Sequence, residues 1–184
     1  MMRLGVKYRV ALLLVLGTML PSSYSDDGYR SKVGFDIKGF KPNLHNRIGW
    51  IGGGRWARYY GTSQVYTGLA AYFGAPTGLS IGEQRIYYGG LTLGYDGRLS
   101  KHFVYELGFL IGYGEGIMKS MGISERSYFV AEPSLSLGFA LGGGWRLCFS
   151  GSYLSMNTAK NFSGSTFGVR LQYRSSSAIK DVND

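Results

Sequence analysis

The residues of this chain that could do chemistry are few and scattered. Its 184 residues include two histidines, His45 and His102, and a single cysteine, Cys148. One cysteine can form neither an intrachain disulfide nor a cysteine-based metal site. The sequence also lacks the ligand spacings typical of Ca²⁺ or Zn²⁺ sites. It therefore predicts no metal ion and no cofactor.

Charged residues of both signs recur in segments where apolar and polar residues alternate. Those on the polar face of these segments are Asp36, Arg55, Glu106, Glu132, Arg146, Arg170 and Arg174. Two carboxylates can act as general acid and base, but carboxylates enclosed with cations are expected to form ion pairs that neutralise one another. We therefore expect a structural charge network, with Glu106 and Glu132 on neighbouring strands and each held by an interior arginine.

The glycine run Gly52–Gly54, in IGGGRW, superficially matches a phosphate-binding loop. Such a loop needs a strand that leads into a helix, followed by Lys and Ser or Thr, and neither condition is met. We interpret the run as a place where a strand bends or passes interior bulk.

The elements that position these residues follow a period of two. In KHFVYELGFLIGYGE the odd positions from Phe103 to Tyr113 are apolar or aromatic, whereas the even positions include Glu106 and several glycines. The same alternation continues in SYFVAEPSLSLGFAL, WRLCFSGSY and TFGVRLQYR, with weaker copies in YRSKVGFDIKG, RIGWIGGGRWARYY, SQVYTGLAAYF and QRIYYGGLTLGYD. Eight such segments predict an all-β fold, an eight-stranded antiparallel up-and-down transmembrane β-barrel.

The predicted connections alternate in length. Those near GT, GRLS and GGG are tight turns, and those near KPNLHN, GAPTGLSIGE, GIMKSMGISER and MNTAKNFSG are longer. Short periplasmic turns and longer external loops are the outer-membrane pattern. This orientation places His45 in the first external loop, and His102 at a periplasmic strand end with its side chain facing inward.

Aromatic residues on the apolar face then fall into two belts. The outer belt contains Trp50, Phe73, Tyr87, Tyr113, Phe129, Tyr153 and Phe167, and the periplasmic belt contains Trp56, Tyr95, Phe103, Phe139, Trp145 and Tyr173. Aliphatic residues lie between them, as expected if rings sit at headgroup level and aliphatics in the hydrocarbon. The alternative is a soluble β-sandwich or lipocalin-like barrel whose apolar face is its core.

The N-terminal segment predicts export. Residues 1–25 combine Arg3, Lys7 and Arg9 with an apolar run and small residues before Asp26, which is typical of a cleaved signal peptide. The run is too short for the alternative, a membrane-spanning anchor. We expect residues 26–174 to form the barrel and residues 175–184 a short periplasmic tail. Cleavage would lower the formal net charge from +9 to +6, and the scattered charges predict no nucleic-acid partner.

The last strand carries a family resemblance. Thr166, Gly168, Leu171 and Tyr173 resemble the C-terminal assembly signal of outer-membrane barrels. The mature chain resembles the small barrels typified by the transmembrane domain of outer-membrane protein A and by outer-membrane protein X, although the tail SSSAIKDVND follows Arg174 where such chains commonly end. The resemblance implies that the barrel-assembly machinery is a partner during biogenesis.

Some small outer-membrane barrels are enzymes. The lipid A palmitoyltransferase and deacylase use a His with a Ser near the outer leaflet, and His45 with Ser80 in the second external loop resembles that placement. The Asp-Ser pair of the transferase pattern is absent, because the second loop reads GAPTGLSIGEQ.

These features predict a non-enzymatic barrel of the bacterial outer membrane with a structural or surface-interaction role. We expect a monomer whose partners are outer-membrane lipid and lipopolysaccharide, with Lys119 and Arg126 of the third external loop near lipopolysaccharide phosphates. The alternatives are a lipid A-modifying enzyme that performs acyl transfer or deacylation, and a narrow, porin-like pore. An eight-stranded lumen is only wide enough for its own side chains, which disfavours the pore.

Overall fold

In an extended strand successive side chains point to opposite faces, so apolar residues that alternate with polar or small ones give the strand one apolar and one polar face. The chain forms eight strands of this kind. A computed structural model describes residues 30–43, 48–60, 63–75, 84–118, 123–157 and 163–175. The strands are β1 Ser31–Pro42, β2 Gly49–Tyr59, β3 Val65–Ala75, β4 Gln84–Arg98, β5 Phe103–Met118, β6 Ile123–Gly142, β7 Trp145–Met156 and β8 Gly164–Ser175.

The strands form one closed antiparallel barrel in which each pairs with its neighbours in sequence. β1 and β8 close the barrel, with Asp36 opposite Arg170 and Ile37 opposite Val169. The predicted fold class is confirmed, and β1, whose alternation is weak in the sequence, pairs along its whole length. The described residues include no helix long and apolar enough to cross a membrane.

The two ends of the barrel differ. We call the end with the β2–β3, β4–β5 and β6–β7 connections the turn end, and the opposite end the loop end. At the turn end, Gly142, Gly143 and Gly144 all have positive φ, which explains the glycine run in the tightest turn. The third loop-end connection is shorter than predicted, because β5 continues to Met118 and β6 begins at Ile123.

The outer surface is a girdle of exposed apolar side chains. All thirteen residues of the two predicted belts lie on this face; eleven are exposed, and Trp50 and Trp56 are half-buried. Rings pair within a belt, such as Trp50 with Phe73 near the loop end and Trp145 with Tyr173 near the turn end. Aliphatic side chains such as Leu91, Leu107 and Leu135 are more than half exposed between them. A surface this apolar suits lipid as its solvent.

The inner face is narrow and filled by side chains. Gly53 faces inward, and a Cβ there would collide with the Tyr72 ring and the Ala71 carbonyl. The glycine therefore lets β2 pass the bulk of Tyr72, as the sequence suggested for this run.

Candidate functional site

The centre of the lumen holds a closed ring of two arginines and two carboxylates. Arg170 of β8 contacts Asp36 (Nε–Oδ1, 2.6 Å) and Glu106 (Nη1–Oε1, 2.8 Å). Arg55 of β2 contacts the same two acids, through Nε to Asp36 Oδ2 and Nη1 to Glu106 Oε1, both at 3.1 Å. The Tyr72 and Tyr66 hydroxyls donate to Asp36 and Glu106 respectively. Both carboxylate oxygens of Asp36 therefore have hydrogen-bond partners. The cost of burying these charges is offset by ion pairs and hydrogen bonds of good geometry.

A second cluster lies toward the loop end and corrects one prediction. Glu132 is held by Lys38 (Nζ–Oε1, 2.5 Å), by the Ser152 hydroxyl at 2.5 Å and by the Tyr88 hydroxyl at 3.1 Å. The expectation that an arginine holds Glu132 was wrong. Both central arginines are already engaged with Asp36 and Glu106, and Lys38 is the next inward position of β1 toward the loop end. For Glu106 the expected arginine partner is present.

A third cluster lies at the turn end around Asp96. Its carboxylate contacts Lys32 (3.0 Å), Arg146 (3.2 Å) and Arg174 (4.0 Å) and accepts a short hydrogen bond from the Tyr59 hydroxyl. Lys32 also reaches Glu106 Oε2 at 2.9 Å, which links this cluster to the central ring. The predicted interior residues therefore lie in the lumen, although Arg146 and Arg174 belong to this outlying cluster.

Three ionic members were missed by the sequence analysis: Lys32, Lys38 and Asp96. Lys32 and Lys38 share the parity of Asp36 in SKVGFDIKG, and Asp96 continues the inward series of Thr92 and Gly94. All three lie within the alternating segments YRSKVGFDIKG and QRIYYGGLTLGYD, so applying the alternation to every position of these segments would have found them.

Beyond Lys38 and Glu132 the lumen is largely apolar toward the loop end, which the sequence analysis did not predict. Its core consists of Phe40, Ile51, Ala70, Tyr72, Ile86, Tyr88, Leu110, Tyr128, Val130, Leu154 and Met156. We call this set the apolar plug. It corrects the expectation that the interior face is polar or small throughout, since buried ion pairs cost desolvation and side-chain packing closes the same space without that cost. Next to it, a cavity of about 10 Å³ beside Arg55, Tyr66 and Glu132 has room for one water.

Of the histidines and the serine considered for catalysis, the structure describes only His102. His45 and Ser80 lie outside them, as do Lys119, the signal segment and residues 176–184. His102 is exposed in the β4–β5 turn, 6.0 Å from the Phe139 ring, so the prediction that it faces inward was wrong. Because His102 lies in a turn, the alternation of side chains along a strand does not determine the direction in which it points. No group of three or more His, Cys, Asp or Glu residues that could hold a metal occurs in the described part of the chain.

The residues that resemble an assembly signal are split between the two faces of β8. Thr166 and Gly168 face the lumen, where the Thr166 hydroxyl meets that of Ser152, and Leu171 and Tyr173 are exposed to the outside. Their strand is the one that closes the barrel against β1.

The geometry defines a small β-barrel with a lipid-facing girdle and a filled lumen, and comparison with known proteins agrees. No family model and no curated protein sequence matches the chain. It is similar in structure to Ail, the attachment invasion locus protein of Yersinia pestis, at 16% identity and a TM-score of 0.50, over 81% of this chain and 99% of Ail. It is also similar to Neisserial surface protein A, at 12% identity and a TM-score of 0.56, over 81% of this chain and 97% of that protein.

A further structure of Ail, in complex with the heparin analogue sucrose octasulfate, matches at 14% identity and a TM-score of 0.50, over 81% of this chain and 99% of that one. At such identities the likeness establishes the fold. The chain has the fold and the lipid-facing surface of a small eight-stranded outer-membrane β-barrel.

Proposed function

We propose that the chain is a non-enzymatic protein of the bacterial outer membrane that acts through its loop end, where it binds phosphate groups of lipopolysaccharide. The observation that supports this is the filled lumen. The charges of its central ring and of the Lys38–Glu132 pair are matched to one another, and apolar side chains pack the space toward the loop end. At the loop end, the surface left for recognition is the outside of the barrel and its loops.

The charge of the loop end supports an anionic ligand. Lys41 is exposed at the end of β1, and Arg85 lies 5.9 Å from the centre of the Tyr87 ring on the outer face. The segments around this end carry Lys41, Arg47, Arg85, Lys119, Arg126 and Lys160, against Glu83, Glu115 and Glu125. Lysine and arginine are the usual partners of phosphate.

One of the solved structures with a similar fold contains an anionic ligand. Ail has been solved with sucrose octasulfate, a densely sulfated sugar. Ail, which has the same fold, is thus a precedent for an anionic saccharide as the ligand of such a barrel.

The proposal is tested by measuring binding of the refolded protein to purified lipopolysaccharide and to the same material with its lipid A phosphates removed. We expect the phosphorylated form to bind more tightly and to lose affinity as salt increases, because the contacts are ionic. Lys41→Gln should weaken binding several-fold. Lys101→Gln, which removes an exposed charge at the turn end, is the matched control and should not.

The lipid A of bacterial cells provides a test of the enzymatic alternative. Mass spectrometry of lipid A from strains with and without the protein should show the same acylation pattern. Altered acylation that disappears in His45→Ala would overturn the non-enzymatic proposal and support acyl transfer or deacylation.

We also propose that Thr166, Gly168, Leu171 and Tyr173 act as the assembly signal read by the barrel-assembly machinery. Tyr173 is an exposed ring at the turn-end edge of β8, where it contacts Trp145. Tyr173→Ala should lower the amount of folded protein in the membrane, whereas Tyr153→Ala, an exposed ring on the outer face of β7, should have a smaller effect.

A further inference from the structure

The charges that face the lumen are not evenly balanced along the barrel. Away from the turn end, Lys38, Arg55 and Arg170 are matched by Asp36, Glu106 and Glu132. At the turn end, Lys32, Arg146 and Arg174 contact one carboxylate of the described chain, Asp96, and Arg30 adds a further cation over the Tyr59 ring. The excess positive charge of the described lumen is therefore concentrated at one mouth.

The arginines at this mouth have hydrogen-bond donors without a partner among the described residues. Arg174 lies 4.4 Å from the centre of the Tyr59 ring, and its only ionic contact among the described residues is the 4.0 Å approach to Asp96. Arg146 uses one terminal nitrogen for Asp96, and Arg30 stacks 5.4 Å from the same Tyr59 ring while donating to the Ser63 carbonyl. A guanidinium carries five N–H donors, so most remain available.

Beside them lies a buried polar group without a partner. Gln172 is opposite Arg146 in the β7–β8 register, is 1% exposed, and neither its Nε2 nor its Oε1 has a hydrogen-bond partner among the described residues. A buried amide left without hydrogen-bond partners destabilises the folded protein. Water could satisfy the amide, but water would not neutralise the surrounding cations.

We propose that the turn-end mouth of the lumen binds a phosphate group held by Arg174, Arg146 and the Gln172 amide. Guanidinium groups bind oxyanions through paired, charge-assisted hydrogen bonds, and the excess charge favours a dianion over a carboxylate. The strands separate this axial site from the surrounding lipid, so the ligand is a soluble phosphate or phosphate ester on that side of the membrane, which the loop lengths predict to be the periplasm.

The experiment uses the refolded full chain in uncharged detergent micelles. Phosphorus NMR and thermal unfolding follow the titration of inorganic phosphate at constant ionic strength, with acetate and glycerol 3-phosphate as comparison ligands. We expect saturable binding of phosphate with a rise in melting temperature, and weaker binding of acetate. Tighter binding of glycerol 3-phosphate than of inorganic phosphate would assign the site to a phosphate ester, and the reverse would assign it to the free ion.

Two variants and one control test the assignment of residues. Arg174→Gln should lower phosphate affinity about tenfold, the loss of one charge-assisted contact, and Gln172→Leu should lower it with no loss of stability. Arg98→Gln removes an exposed charge at the same end and should change affinity less than twofold. An equal loss in Arg98→Gln, or binding that does not saturate, would show general screening instead of a site.

The chain's own acidic residues are the competing occupant. Asp181 and Asp184 follow β8 in sequence and lie outside the described residues. Phosphate binding that appears only after Asp181→Asn and Asp184→Asn would overturn the proposal of an external ligand, since the tail would then be the occupant.

Discussion

Individual residues in the lumen act as pairs, and the pairing decides what a substitution costs. Glu132 is 3% exposed and receives Lys38, Ser152 and Tyr88, so its charge is fully compensated inside the barrel. A compensated pair contributes little net stability, whereas removing one member strands the other as an isolated buried charge.

Glu132→Gln should therefore destabilise the barrel by about 3 kcal/mol, because the Lys38 ammonium is left buried without its carboxylate. The free energy of unfolding, from urea titration of the protein refolded in lipid vesicles, measures the loss. Lys38→Met in the Glu132→Gln background should recover more than half of it. An unchanged stability in the single variant would contradict a structural role for this ion pair.

At the scale of the strands, the turn between β6 and β7 depends on glycine. Gly144 has a φ of +85°, a Cβ there would lie 2.5 Å from the Arg174 carbonyl oxygen, and its own carbonyl accepts a hydrogen bond from Arg174 N. Gly143 has a φ of +59° and open space around it. The two neighbours therefore differ in what they tolerate.

Gly144→Ala should lower the free energy of unfolding by about 1–3 kcal/mol, since it combines backbone strain with a collision with the neighbouring strand. Gly143→Asn should cost much less, because Asn adopts the left-handed region more readily than other residues with a side chain. The same urea titration compares the two variants. Equal effects would mean that the collision with β8 is relieved by a small shift of the turn.

The strands also explain how far the sequence could predict the structure. From β5 to β8 the lipid-facing positions are apolar and the inward ones are mostly polar or small, so the alternation predicted strands, faces and interior charges. In β1, apolar Phe40 and charged Lys38 both face the lumen. In other strands the lipid-facing and the lumen-facing positions are both apolar, as at Phe109 and Leu110 of β5. Alternation carries no signal where both faces are apolar, which is why the apolar plug was missed. Which cation binds Glu132 depends on pairing across the lumen, and no local pattern contains that information.

At the scale of the whole molecule, the described part of the chain is a closed barrel whose lumen is filled by side chains. The apolar plug and the Glu132 cluster fill the lumen toward the loop end, the central ring and the Asp96 cluster fill the rest, and the cavity beside Glu132 has room for about one water. We therefore expect no stable single-channel conductance in a planar bilayer, because an ion would have to pass apolar packing and displace matched charges. A heat-dependent shift in gel mobility of the same preparation serves as the control for correct folding. Reproducible conductance steps from folded protein would contradict this and support the pore.

The central ring of ion pairs joins β8 to strands made much earlier in the chain. Arg170 of β8 neutralises Asp36 of β1 and Glu106 of β5 at once. A chain synthesised only as far as β7 would hold Glu106 with Lys32 and Arg55, and Asp36 with Arg55 alone, in a wall with an open edge. The buried oxygen Oδ1 of Asp36 obtains its ionic partner only when the final strand arrives, so insertion into lipid and closure of the barrel are thermodynamically linked, and an unfinished barrel is disfavoured by the same buried charge that stabilises the finished one.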